Sequence, residues 1–171
     1  MTDEHVEHRT LHDFAIDPDH EQRTESAEFR EAKRRLHEDG HMQCYVESCK
    51  STKDLQVHHF HCEWMFAAIA DWTKVKAAAE KFDIYGYGRL LKNKPITSPD
   101  DVRCMMVLCK AHHTGINHED GGGGTGIHMV SHPTWNAQNI CVDGANPIPQ
   151  AGETFAKAAE RIKKHERSAG S

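Results

Sequence analysis

Two stretches of the sequence decide the expected fold, LQVHHF at residues 55–60 and MMVLCKAHHTGIN at residues 105–117. The first is β-prone and places His58 and His59 directly after apolar residues. Neighbouring side chains of a strand point to opposite faces, so the two imidazoles cannot share one role. One can bind a metal while the other faces a substrate. The plainer alternative is a pair of surface histidines in a chain that has 15 histidines.

Both stretches belong to predicted secondary-structure units. The run QCYV at residues 43–46 is also β-prone, and it is joined to LQVHHF by the polar segment ESCKSTKD, so a β-hairpin is predicted between residues 43 and 60. The MMVL run leads into a short helix near residues 110–117. Between these units, residues 63–82 are helix-prone, with Asp71 as a suitable N-cap.

Two short-spaced pairs of metal-binding side chains lie in these units. Cys44 and Cys49 have four residues between them, and Cys109 and His112 have two. Structural zinc sites are built from two knuckles of this kind, which together supply four tetrahedral ligands. The sequence therefore predicts a structural Zn²⁺ site, and the alternative is a set of buried thiols without a ligand role.

Taken in order along the chain, the Cys-x4-Cys pair, LQVHHF and MMVLCKAHHTGIN resemble the HNH endonuclease family, over roughly residues 43–118. The resemblance implies an α+β fold, with a small ββα-metal (HNH-like) core, a structural zinc site, and N-terminal, inserted and C-terminal helices around it. It also implies hydrolysis of DNA phosphodiester bonds, in a small stand-alone protein similar to those of phages and mobile elements.

The resemblance assigns roles residue by residue. His58 matches the first ligand of a catalytic divalent cation, and His113 matches the ligand on the following helix. Asn117, one helical turn later, matches the second helical ligand, where the family accepts His or Asn. His59 matches the general base, which would take a proton from the attacking water. The implied catalytic ion is Mg²⁺, Mn²⁺, Ni²⁺ or Zn²⁺.

The chain departs from the family pattern at its middle Asn. That position falls on Cys104, or on Arg103 if the alignment shifts by one residue. In relatives this Asn bonds the backbone and orients the loop that bears the base, which a thiol does poorly. His118 is a further supporting candidate, although it points about 100° away from Asn117 around the helix. The missing middle Asn, the acidic N-terminal arm and the long insertion favour an alternative function, a zinc-stabilised HNH-scaffold protein that lacks nuclease activity and acts as a binding or inhibitory protein.

Three sections are expected along the 171 residues. Residues 1–40 form an acidic N-terminal arm with a helix near residues 25–38. Residues 41–120 form the ββα-metal core with a helical insertion near residues 63–95, and residues 121–171 hold a glycine-rich loop, a packing segment and a C-terminal helix. The arm carries 12 acidic and 6 basic side chains. We expect it to lie outside the catalytic core and either to repel DNA or to dock a protein partner.

Composition narrows the class of protein further. Only 37% of the residues are hydrophobic, and the six cysteines lack the spacing of a secreted disulfide framework, so bound metal is expected to stabilise a small core. The sequence has no apolar run suited to a signal peptide or a membrane span, and a cytoplasmic location with reduced thiols is expected. The expected partner is DNA, although the net charge of −5 is not that of a tight DNA binder.

A second histidine-rich stretch, GIHMVSHPTW at residues 126–135, follows the glycine-rich loop. His128 and His132 are four residues apart, but a proline and the preceding glycines argue against a long helix. A second metal site is therefore the less favoured interpretation. We expect Ile127 and Trp135 to pack this loop back onto the core.

Overall fold

The computed structural model describes residues 14–18, 22–115 and 126–169 of the chain. This part is a mixed α+β structure with one two-stranded antiparallel sheet, so the expected α+β class is confirmed. The strands are β1 (Leu55–His59) and β2 (Met105–Cys109), and the helices are α1 (Ala27–Glu38), α2 (Trp72–Lys81), α3 (Tyr87–Leu90), α4 (Lys110–His113), α5 (His132–Ile140) and α6 (Phe155–Ala169). Short 3₁₀ helices cover Trp64–Ile69, Val102–Cys104 and Ile127–Met129.

The sheet joins segments that are far apart in the sequence. β1 pairs with β2, with Leu55 opposite Cys109 at one end of the register. The hairpin predicted between residues 43 and 60 is therefore wrong. MMVLC is apolar throughout and buried along its whole length, which makes it the better partner for β1. The QCYV run instead lies as an irregular segment along the other edge of β2, where the Tyr45 N–H donates to the Val107 carbonyl at 2.8 Å.

Helix α1 packs into the core beside this sheet. Its N-terminus is capped by Ser26, whose hydroxyl accepts a hydrogen bond from the Phe29 N–H at 2.9 Å. Phe29, Ala32 and Leu36 lie on one face and are buried in a cluster that includes residues of β2. The N-terminal arm is expected to lie outside the catalytic core, and this helix of the arm belongs to the hydrophobic core, because its apolar stripe needs a partner surface.

The inserted and C-terminal helices build a second packed region. α2 begins at the predicted cap, where the Asp71 carboxylate accepts from the N–H groups of Thr73 and Lys74. α5 and α6 contribute buried residues to two hydrophobic clusters, which also contain residues of the segment that follows β1. Ile127 packs partly against the core as expected, but Trp135 is 64% exposed, so its expected packing role is wrong.

Across the described ranges, none of the helices combines the length and the apolar character that crossing a membrane requires.

The burial of α1 generates a stability prediction. Leu36→Ala should lower the free energy of unfolding by about 2–5 kcal/mol, because it removes a fully buried side chain and leaves a cavity. Leu90→Ala is the matched control, since Leu90 is 66% exposed, and it should change stability by no more than about 0.5 kcal/mol. Chemical denaturation of both variants measures the difference. Equal unfolding curves would show that α1 is not part of the core.

Candidate metal centres

The first candidate centre is made by two cysteine-containing turns that meet beside β2. Cys44 and Cys49 lie on the loop before β1, and Cys109 ends β2. His112 lies on α4, which begins one residue after that strand. These four side chains, predicted from their spacing, form a cluster that could hold a metal ion.

The distances within this cluster suit a tetrahedral ion. The Cys49 and Cys109 sulfurs are 3.9 Å apart. The Nδ1 atom of His112 lies 3.4 Å from the Cys44 sulfur and 3.3 Å from the Cys109 sulfur. Tetrahedral coordination with metal–sulfur bonds of about 2.3 Å separates two sulfurs by about 3.8 Å and a sulfur from a nitrogen by about 3.6 Å. The four ligand atoms are therefore preorganised for one ion.

The electrostatics of this cluster favour a thiolate at Cys109. Burial raises the pKa of its thiol, but hydrogen bonds from the His112 backbone and from the Cys44, His112 and Cys49 side chains outweigh that effect and lower the pKa to about 7. Because the thiolate is the form that binds metals, this environment assists metal binding.

The second candidate centre joins three histidines from different parts of the fold. His58 comes from β1, His113 from α4 and His128 from the 3₁₀ helix at Ile127–Met129. One ring nitrogen of each lies within 4.8 Å of the others, so this group could also hold a metal ion. The Nε2 atoms of His113 and His128 are 2.9 Å apart. Two predicted ligand positions, His58 and His113, are thus brought together.

Two local contacts orient this histidine cluster. The Nδ1 atom of His113 lies 2.7 Å from the Gln56 side-chain oxygen, a contact that directs the other ring nitrogen towards the cluster. Gly126 lies so close to the backbone of His113 and Gly115 that a Cβ atom would collide with both. The glycine thus permits the close approach that delivers His128 to α4.

The remaining predicted ligand, Asn117, and the supporting candidate His118 lie outside the described residues. The sequence pairs His128 only with His132, four residues away, whereas in the structure the His128 ring joins His58 and His113. In the sequence, His128 is recognisable only as a histidine just after a glycine-rich loop. Its spacing along the chain does not indicate which metal site it would join.

His59 occupies the opposite side of β1, as strand alternation requires. Its Nε2 atom lies 2.7 Å from the Asp100 carboxylate, which also accepts a 2.6 Å hydrogen bond from the Ser26 hydroxyl. The Phe29 ring stacks on the imidazole with ring centroids 5.3 Å apart, and the residue is 3% exposed. Burial lowers the pKa of His59, and the hydrogen bond to Asp100 opposes that shift.

The positions considered for the family's middle Asn have structural roles. Cys104 is fully buried, and its carbonyl accepts hydrogen bonds from the Phe60 and His61 N–H groups. An asparagine from elsewhere, Asn136 on α5, donates through its side-chain amide to the Phe60 carbonyl at 2.8 Å and to the His61 carbonyl at 2.5 Å. Asn136 therefore holds the backbone that follows His59. It lies too far along the chain for motif spacing to identify it.

The guanidinium of Arg103 is also occupied. It is buried and pairs with the Asp101 carboxylate at 2.6 Å. Its remaining hydrogen bonds go to the carbonyls of Leu91, Lys94 and Pro95. Arg103 therefore fastens the loop before β2 and is not available to orient His59.

Burial makes the second centre a site for neutral imidazoles. Desolvation and the neighbouring histidines lower the pKa of His58 to about 2 and that of His113 to about 4. Neutral imidazole is the form that binds metals. A carboxylate that was absent from the predicted site, Glu63, lies 3.4 Å from the His58 Nε2 atom, and burial raises the pKa of Glu63 to about 7.

Comparisons with protein-family models, with curated proteins and with solved structures produced no match for this chain.

The Cys/His cluster generates a prediction about folding. Cys49→Ser and Cys109→Ser should lose bound metal and melt at a lower temperature, because metal binding worth about 10 kcal/mol is coupled to folding at such sites. Cys141→Ser is the matched control, since this buried thiol lies outside the cluster and donates to the Gln138 carbonyl. Elemental analysis and thermal melting measure both effects.

A chelator added to the wild-type protein tests the same point without mutation and should also unfold it. Cluster variants that kept wild-type metal content and melting temperature would show that these four side chains bind no structural metal.

Proposed function

We propose that this protein is a metal-dependent HNH-type endonuclease that hydrolyses DNA phosphodiester bonds. The observation that carries the proposal is the arrangement of β1, β2 and α4. One strand and the helix after its partner supply His58 and His113 to a single metal cluster, while His59 lies on the other face of the same strand. We propose zinc for the Cys/His cluster because its thiolate-rich tetrahedral ligand set suits that ion.

The catalytic divalent ion would be held by His58, His113 and His128, with Asn117 kept as a further proposed ligand. When bound, such an ion binds the scissile phosphate and stabilises the negative charge on the leaving oxygen. Because desolvation lowers the pKa of His58 and His113, their nitrogen lone pairs stay available for the ion.

His59 is the proposed general base, and Asp100 supports that role. A neutral imidazole carries one N–H, and the carboxylate of Asp100 accepts it from Nε2. Nδ1 is then the ring nitrogen that can take a proton from water. The bond from Ser26 holds the carboxylate in place, so that His59 keeps one tautomer and one orientation.

A cavity beside β1 supports a polyanionic substrate through Arg23. The cavity, of about 440 Å³, is lined by Arg23, by Lys33 paired with Glu25 at 2.5 Å, and by Gln56, which itself contacts the proposed metal ligand His113. The charge of Arg23 also contributes to lowering the pKa of His59 and of His113. A DNA phosphate placed near this cavity would gain a favourable interaction with the Arg23 guanidinium.

One observation favours the alternative, a zinc-stabilised HNH-scaffold protein without nuclease activity that acts as a binding or inhibitory protein. His59 is almost fully covered, and Phe29 stacks directly on it. A base in this position reaches water only if α1 shifts. The acidic N-terminal arm would then serve as the docking element for a protein partner.

Cleavage of supercoiled plasmid in the presence of Mg²⁺, Mn²⁺, Ni²⁺ or Zn²⁺ separates the two functions. The nuclease proposal predicts nicked and linear products, and His59→Ala should reduce the cleavage rate by about 10²–10⁴-fold without changing the metal content. His37→Ala is the control, since His37 is exposed on α1 and has no proposed role in cleavage.

Two results would decide against the nuclease. If wild-type protein with metal in both centres leaves the plasmid intact with every ion, the result would favour the alternative function as a binding protein. Full cleavage by His59→Ala would remove this histidine from the mechanism.

A further inference from the structure

Glu63 occupies an unusual position beside the histidine cluster. It immediately precedes the 3₁₀ helix at Trp64–Ile69, in the place where a side chain often caps the helix. Within the described part of the chain its carboxylate makes no capping hydrogen bond, and the side chain is only 12% exposed. The carboxylate therefore turns inward, towards β1.

Two buried polar atoms face each other at this point. The Nε2 atom of His58 and the Oε1 atom of Glu63 lie 3.4 Å apart. Neither has a hydrogen-bond partner among the residues that the structure describes. Burying such groups without a partner is costly, and an adjacent pair of them calls for a ligand that would satisfy both.

Two of the separations around this point are those of ligands on one metal ion. Glu63 lies outside the group of three histidines whose ligand atoms are all within 4.8 Å of one another, so its carboxylate has to shift on metal binding to share an ion with all three. For metal–ligand bonds near 2.1 Å, neighbouring ligand atoms lie about 3.0 Å apart at right angles and about 3.4 Å apart in a tetrahedron. The observed separations are 2.9 Å between His113 and His128, and 3.4 Å between His58 and Glu63.

We propose that Glu63 is the fourth protein ligand of the histidine centre, which then offers three imidazoles and one carboxylate. Such a donor set suits a first-row transition ion and disfavours Mg²⁺, which prefers oxygen ligands and retains much of its water. The inference concerns the metal centre on which the proposed function rests, but it does not depend on nuclease activity.

The decisive experiment measures Mn²⁺ binding to the full chain, with the Cys/His cluster already filled by one equivalent of zinc. The electron paramagnetic resonance signal of free Mn²⁺ reports the fraction bound. The wild type should bind one Mn²⁺ per chain, and excess Mg²⁺ should not displace it. Glu63→Gln keeps the shape of the side chain and should weaken binding by about 100-fold or more, since loss of a supporting group alone costs about 10–100-fold.

Matched variants control for indirect effects. Glu80→Gln, on the exposed side of α2, removes a carboxylate that pairs with Lys76 and should bind Mn²⁺ like the wild type. Glu63→Asp keeps the charge on a shorter side chain and should recover part of the lost affinity. Circular dichroism and zinc content should match the wild type in all three variants.

Wild-type Mn²⁺ affinity in Glu63→Gln would overturn the proposal. If that variant fails to fold, a crystal structure of the Mn²⁺-loaded wild type replaces it, and a Glu63 carboxylate that does not touch the ion would be equally decisive. Plasmid assays separate this outcome from the fate of the proposed function. Loss of affinity in Glu63→Gln together with an intact plasmid would support the ligand and reject the nuclease.

Discussion

The antiparallel pairing of β1 with β2 is the constraint on which both candidate centres depend. It brings His58 opposite Met106 and places Cys109 at the end of the sheet, immediately before α4. Adjacent residues on a helix point about 100° apart, so His112 and His113 reach different clusters from one short helix. An ion in the Cys/His cluster would therefore also hold the helix that supplies His113. Metal binding at the first centre would in this way help to position a ligand of the second centre.

The alternation of β1 divides the chemistry between two faces of one strand. His58 points towards the imidazole cluster, and His59 points towards Asp100 and the N-terminus of α1. Ser26 and Phe29, both from the acidic arm, contact this second face directly. The arm is therefore a structural neighbour of the proposed base, and its position controls how much of that base meets water.

The histidine centre is built at a cost to stability. His58, Glu63 and His132 each bury a side-chain atom that has no hydrogen-bond partner in the described ranges. Groups of this kind destabilise a fold by about 1–3 kcal/mol each when nothing pairs with them. Two of these groups, His58 and Glu63, face each other 3.4 Å apart, which indicates that this region is shaped for a ligand, in contrast to the hydrogen-bonded networks around Arg103 and Asn136.

The sequence by itself determined the features that depend on local spacing. Patterns a few residues long predict the four Cys/His candidate ligands, a helix near residues 25–38, the Asp71 cap and the opposite faces of His58 and His59. The Cys/His cluster needs only that two such patterns meet. The strand partner was mispredicted because QCYV is closer in sequence, whereas burial of an apolar run decided in favour of β2. Only the tertiary structure brought in Glu63, Asp100, His128 and Asn136. Asp100 contacts His59, which is 41 residues away in the chain, and Asn136 contacts Phe60, which is 76 residues away. His128 follows a long loop, and the Glu63 side chain turns inward. Local sequence periodicity encodes none of these contacts.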